Sequence, residues 1–335
     1  MKGMLFGGCS FTWGQGLWYY SDLNDLFYPK YINRFDFSTV MPAHLKVMES
    51  LRFSRLVANH FGTFDVQKKE NGGSEDTSFN FFDQLFHGGP NTHLTDEKMK
   101  FSDFDYIILQ TSQLYRNRFY FTLDGEEQWA IVWTNANGIN IENFYKWLKI
   151  NNITIEEWLD MFINSQINRM KAKFEFYESQ GVKTKIICWE DDYLPYIEKD
   201  EFLSKRHIPL YYMDTKYDSI FALLTKKRYL EIQNDYDNFT NPPLDGHPSK
   251  KCHEIIAESI IKHIEEHDEI SKTILPRKTP RHTVNKDNNS IITYESPEPD
   301  NIKIEVYPEF LKPTAELIKE ALYNSVPQSK PKTII

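Results

Sequence analysis

Short apolar runs alternate along the chain with longer stretches in which apolar residues recur every three or four positions. Lys2 to Phe6 is a short apolar strand ending at Gly7-Gly8, Thr63 to Gln67 forms a second, and Phe104 to Leu109 is the nearly continuous run that a strand buried on both faces requires. Thr184 to Trp189 repeats that pattern, and Ile208 to Met213 offers a fifth strand. Between them, Leu51 to Phe61 has helical spacing closed by Gly62. Leu159 to Gln180 sets Leu159, Phe162, Ile163, Ile167, Met170, Phe174 and Tyr177 on one stripe before Gly181 stops it. Ile220 to Tyr229 and Cys252 to Ile264 are further helices. Strands spaced by amphipathic helices predict an α/β fold, a three-layer α/β/α domain around a five-stranded, mostly parallel sheet covered on both faces.

Two stretches break the alternation. Within 17–49, Leu17 to Phe37 carries Trp18, Tyr19, Tyr20, Phe27, Tyr28, Tyr31, Phe35 and Phe37 without a period, as a loop insert does. Within 113–158, Arg118 to Trp133 predicts a hairpin turning near Asp124-Gly125. Both inserts follow the carboxyl end of a strand, the edge at which doubly wound sheets bind ligands. The pattern stops near His267. Residues 268–300, with Pro276, Pro280, Pro297 and Pro299, predict a linker. Residues 301–335 predict a strand at Ile302 to Val306 and a helix at Pro313 to Tyr323, an appendage too small to bury much surface unless it docks on the main domain or on a partner.

Composition narrows the function classes. With 335 residues, 40% of them hydrophobic, the chain can bury a large core. Lys+Arg 39 against Asp+Glu 48 leaves a net charge of -9, so nucleic-acid binding would need a local basic patch, and the sequence shows none. The apolar run after Met1 is too short for a signal peptide or a membrane span, which predicts a protein of the producing cell's cytoplasm with no membrane partner. Cys9, Cys188 and Cys252 are too far apart for a zinc knuckle, and their odd number argues against a disulfide framework; free thiols are expected. Aromatics reach 15%, and the two inserts hold much of that excess.

The run Gly7-Gly8-Cys9-Ser10-Phe11-Thr12-Trp13-Gly14-Gln15-Gly16 carries the first candidate chemistry. A phosphate loop is excluded, because Cys9 stands where its lysine must be, and a dinucleotide fingerprint lacks its third glycine. What remains is Ser10 at a strand-to-helix turn: a nucleophile beside half of an oxyanion hole, or a helix N-cap. The second candidate is Asp245-Gly246-His247-Pro248-Ser249, with a carboxylate and an imidazole on one loop. It is a base with its orienting acid, or an Asp-Gly turn beside an exposed histidine. Glu190-Asp191-Asp192 after the fourth strand has the composition of a divalent-metal site and equally of a solvated loop; no metal or cofactor is expected. His253, on the polar side of a helix start, is expected to be structural, and Cys9 to pack beneath the turn. Arg116 and Arg118 either bind an anionic group or charge the hairpin edge.

The order of these motifs, with the nucleophile after the first strand and acid and base nearly adjacent at the end of the domain, resembles the SGNH (GDSL-like) hydrolases. Gly8-Cys9-Ser10-Phe11-Thr12-x-Gly14 is similar to the G-x-S-x-[ST] opening of SGNH-type proteins common in bacteriophage genomes. The resemblance covers about residues 1 to 267 and implies a serine esterase in which Ser10 attacks, His247 is the base and Asp245 orients it. It also implies an oxyanion hole formed by the N–H groups of Ser10 and of Gly72 or Gly73, in Asn71-Gly72-Gly73-Ser74. The family's G-x-N-D block corresponds to Gln110-Thr111-Ser112-Gln113, so Ser112 stands in place of the asparagine, and the closing D-x-x-H block is one residue shorter at Asp245 and His247. The expected substrates are acetyl or other short acyl esters on carbohydrate, with Trp13, Trp189 and Arg116 as substrate-binding residues. The alternative is a phage virion structural or adaptor protein that keeps the scaffold without turnover and binds a virion or oligomer partner through its C-terminal appendage.

Overall fold

In a computed structural model, the structure describes residues 1–9, 12, 14, 17, 48–67, 75–87, 99–112, 116–131, 141–224, 247–268, 283–284 and 291–292. Its centre is β1 (Gly3–Gly7), wholly buried. β1 pairs in parallel with β2 (Asp65–Gln67) on one side and β3 (Phe104–Gln110) on the other, and β6 (Lys183–Ile187) extends the sheet beyond β3. The order is β2-β1-β3-β6. In register, Phe6 faces Gln67 and Ile108, while Gln110 faces Ile187, so all four strands end along one edge.

Alternate residues of these strands feed two apolar clusters, as a sheet covered on both faces demands. Leu5, Ile107, Leu109 and Ile186 join Phe79 and Phe82 of α2 (Glu75–His87) and Met170, Phe174 and Tyr177 of α4 (Ile155–Ser179). Met4, Phe6, Ile108 and Ile187 join Phe53 and Val57 of α1 (Phe53–His60) and Ile256 and Ile260 of α7 (Lys250–His267). The helix predicted from Leu159 begins four residues earlier. Thr154 and Glu157 close a reciprocal capping box, with the Glu157 N–H donating to Thr154 Oγ1 at 3.1 Å, and Trp158 is already part of the buried stripe. Gly181 ends it with φ of 84°.

The predicted hairpin is β4 (Arg118–Leu123) paired with β5 (Glu126–Ile131) around Asp124-Gly125, both with positive φ, the twist a two-residue hairpin turn requires. Its inner face is core. Phe119 meets Trp158 at 5.4 Å between ring centroids, and Trp158 meets Phe144 of α3 (Ile141–Ile150) at 4.7 Å and stacks on Phe162 at 5.1 Å. On the outer face Tyr120 lies opposite Trp129 and is 64% exposed, and the Arg118 guanidinium sits 4.8 Å from the Trp129 ring centroid.

The place of a fifth strand is filled differently from the expectation. Among the described residues the main sheet has four strands, and the chain beside β6 makes a single parallel bridge, Ile186 to His207. The Ile186 N–H donates to the Arg206 carbonyl and the Ile208 N–H to the Ile186 carbonyl, both at 2.8 Å. Pro209 then has no N–H to continue the ladder. Leu210–Tyr212 (β7) instead folds back antiparallel onto Thr215–Tyr217 (β8) around Met213-Asp214, both at positive φ. Short helices α5 (Leu194–Lys199) and α6 (Glu201–Ser204) connect β6 to this hairpin. Within the expected linker, Thr283–Val284 (β9) pairs antiparallel with Ile291–Ile292 (β10). The segment 301–335, most of 17–49, and the helix expected beyond Leu224 lie outside the described residues.

Candidate active site at the carboxyl edge of the sheet

At the end of β1 two glycines are imposed by close approach. A Cβ on Gly7 would press into the Phe82 ring, and one on Gly8 would collide with the Thr12 hydroxyl and come within 3.1 Å of Gln110 Cβ. Past them the chain is held by buried polar groups. The Thr12 hydroxyl donates to Gln110 Oε1 at 2.7 Å; Gln110 Nε2 donates to the Thr111 carbonyl at 2.7 Å and to Cys9 Sγ at 3.4 Å. On the other flank the Gln67 amide is satisfied with its nitrogen toward the Thr12 carbonyl and Ser54 Oγ, each at 3.0 Å, and its oxygen toward the Arg52 guanidinium. Ser54 Oγ in turn donates to Asp65 Oδ2 at 2.9 Å.

Asp65 is completely buried between Arg52, 3.1 Å away, and Arg55. Burial alone would raise its carboxyl pKa, but the Arg55 and Arg52 charges and the Ser54 and Arg55 hydrogen bonds more than reverse this and hold it below the ordinary value. For Arg52, burial prevails over Asp65 and lowers the pKa.

The far side of the edge is joined by Thr111. Its N–H donates to the Ile187 carbonyl at 2.8 Å, and its Oγ1 accepts from the Trp189 N–H at 3.1 Å, tying the end of β3 to the end of β6. Ser112 follows, 2% exposed. Trp189 is 6% exposed, its ring 6.0 Å from that of Phe221. Arg116 is half-buried at the entrance to β4.

His247, Pro248 and Ser249 are buried as they lead into α7, and Ser249 caps it, its Oγ accepting the Cys252 N–H at 3.2 Å. One turn on, His253 is wholly buried rather than on a polar helix side as expected, because the helix start faces α1. Its Nδ1 accepts the Phe53 N–H at 3.1 Å, its ring stacks on Phe53 at 5.5 Å, and its Nε2 is buried with no hydrogen-bond partner among the described residues. Burial, reinforced by the charges of His247 and Arg52, lowers its pKa to about 3, so the ring is neutral and carries its proton on Nε2. The head of α1 therefore touches both halves of the site. Arg52 packs against Gly14 after β1, where an added Cβ would lie 3.1 Å from Arg52 Cβ, and the next residue, Phe53, holds the histidine that shares its surroundings with His247.

Of the sequence-predicted residues, Ser112, Arg116, Trp189 and His247 are described, and Ser10, Trp13, Gly72, Gly73 and Asp245 lie outside the described residues. Cys9 is buried, with its Sγ against the Gln110 amide. Asp191 accepts the Ser219 hydroxyl, burial raises the Asp192 carboxyl pKa, and among the described residues no group of three or more His, Cys, Asp or Glu side chains can hold a metal ion. No helix among them is long and apolar enough to cross a membrane. Sequence reasoning missed Gln67, Gln110, Arg52 and Asp65 as structural members of the site. For Asp65, Gln67 and Gln110 the one signal is polarity at the ends of buried strands, and for Arg52 a charge just before a helix that packs on the sheet; burial obliges each to find a partner. No family model matches the chain, and neither a curated protein nor a solved structure matches it.

Proposed function

We propose that the chain is a serine esterase of SGNH type that removes acetyl or other short acyl groups from carbohydrate. In this reading Ser10 Oγ attacks the ester carbonyl carbon while His247 takes its proton, and Asp245 fixes the imidazole. The tetrahedral oxyanion is held by the N–H groups of Ser10 and of Gly72 or Gly73, with the Ser112 hydroxyl as a third donor. His247 then protonates the leaving alcohol, and water, deprotonated by the same imidazole, releases the acyl group from Ser10. The scaffold is the three-layer α/β/α domain, with residues 206–212 in the place of its fifth strand. Trp13, Trp189 and Arg116 contact the substrate, and the C-terminal appendage, residues 301–335, is the part of the chain that would bind a virion or oligomer partner.

The observation that supports this reading most is a convergence. Gly7 and Gly8 at the end of β1 and the buried Ser112 after β3 stand at the carboxyl ends of neighbouring parallel strands, and α1 links this side to the start of α7: Arg52 packs against Gly14, and the Phe53 N–H donates to His253, six residues after His247. A fluorophosphonate probe is expected to label the wild type and not Ser10→Ala, and acetate is expected to be released from an acetylated polysaccharide. Equal labelling of both proteins, or neither labelling nor hydrolysis of short aryl esters, refutes the esterase and leaves the reading of a virion scaffold without turnover. Loss of assembly binding on deletion beyond Pro276 tests the tether.

A further inference from the structure

We infer that Thr12 is a positioning residue, clamped between Gln67 and Gln110, whose two hydrogen bonds set the reactivity of the turn between Gly8 and Thr12. The inference rests on the reading of Ser10 as the nucleophile. β1 lies between β2 and β3, and each neighbour ends in a buried glutamine: Gln67 is the last residue of β2 and Gln110 the last of β3. Both reach Thr12 from opposite sides. Gln110 Oε1 accepts a hydrogen bond from the hydroxyl, and the Gln67 amide nitrogen donates to the backbone carbonyl. Gln110 also contacts Cys9 through Nε2, so one amide grips the chain on both sides of Ser10.

Neither glutamine is free to relax. The Gln110 nitrogen is held by the Thr111 carbonyl, and the Gln67 oxygen is held by Arg52, itself paired with Asp65. An N-cap alone would need only one side chain accepting from the helix start. A turn gripped from both flanking strands by side chains that are themselves anchored is preorganised, which is what a nucleophile and its adjacent oxyanion donor demand.

The test compares Thr12→Val, which keeps the shape and removes the hydroxyl, with Thr12→Ser, which restores it, and with Gln110→Met, which removes the amide at similar volume. Each is measured three ways in the full chain: fluorophosphonate labelling rate, kcat and KM on p-nitrophenyl acetate, and alkylation of Cys9 and Cys252 by iodoacetamide, resolved by peptide mass. Thr12→Val and Gln110→Met are expected to slow labelling and kcat about tenfold, the equivalent of one buried hydrogen bond, with KM within about twofold. Thr12→Ser is expected to recover most of the rate. Cys9, on the clamped turn, is expected to alkylate faster in the two damaging variants while Cys252, buried in α7, stays protected.

Labelling of Thr12→Val at the wild-type rate overturns the proposal. Exposure of Cys252 together with Cys9 also overturns it, because Thr12 would then support the whole domain rather than the turn. If the wild type itself is not labelled, the nucleophile reading fails separately, and the ratio of Cys9 to Cys252 alkylation still decides whether the clamp exists.

Discussion

Replacing His253 by Asn removes a buried titrating group and keeps its one hydrogen bond, since the asparagine Oδ1 takes the place of Nδ1 in accepting the Phe53 N–H. In the folded protein, burial and the nearby His247 and Arg52 charges lower the His253 pKa from 6.5 to about 3. Between these values the unfolded chain binds a proton at this site that the folded chain refuses. Stability therefore rises with pH across the window and is lost as pH falls below 6.5. Taking the two states at 6.5 and about 3, the site alone costs the wild type about 2 kcal/mol between pH 7.5 and pH 5.

The substitution leaves a small cavity, which lowers stability by a similar amount at every pH and so cancels from the difference in slopes. Urea unfolding of both proteins at half-unit pH steps is the assay. The wild-type curve is expected to fall about 2 kcal/mol further than that of His253→Asn over this range. Parallel curves refute the buried neutral imidazole.

Three further outcomes follow from the same geometry. Asp65→Asn leaves Arg52 and Arg55 buried without a countercharge and is expected to cost about 3–5 kcal/mol in urea unfolding. The wild-type contribution, present above the ordinary carboxylate value of 3.8, fades as pH falls below it. Gly8→Ala drives a methyl group into the Thr12 hydroxyl and is expected to abolish fluorophosphonate labelling while circular dichroism still reports an α/β fold; labelling at the wild-type rate counts against the close approach. Trp158→Ala removes the ring shared by Phe119, Phe144 and Phe162 and is expected to destabilise by about 3–5 kcal/mol, with amide exchange in β4 and β5 accelerating first.

Much of the sheet is legible in the sequence because a strand buried on both faces must be apolar throughout. Phe104 to Gln110 and Lys183 to Ile187 stand out for that reason, and the Asp124-Gly125 turn announces its hairpin through the backbone angles it needs. The fifth strand misled because Ile208 to Met213 is apolar enough for a ladder, whereas Pro209 cannot supply its donor and Met213, a residue type that does not advertise a turn, takes positive φ beside Asp214. At the candidate site, the glycine motif marks the end of β1, where Gly7 and Gly8 are required by the close approach of Phe82 and Thr12. The residues that grip the turn are invisible to motif reading, because Gln67 and Gln110 acquire their role only when β2 and β3 flank β1, a pairing across about 60 and 100 residues of sequence. The aromatic excess has a plainer cause than a sugar platform in the second insert, where Phe119, Phe121, Phe144 and Trp158 are packed on one another.

The 25 residues of α4 form a rod about 37 Å long. Its first turns, through Trp158 and Phe162, are embedded in the aromatic packing beneath the hairpin, and its last turns, through Phe174 and Tyr177, are embedded in the packing of α2 against the sheet. A helix anchored at both ends behaves as a beam. α4 thus joins the aromatic packing beneath the hairpin to Val182 and β6, whose far end is tied through Thr111 to the edge where the candidate site lies.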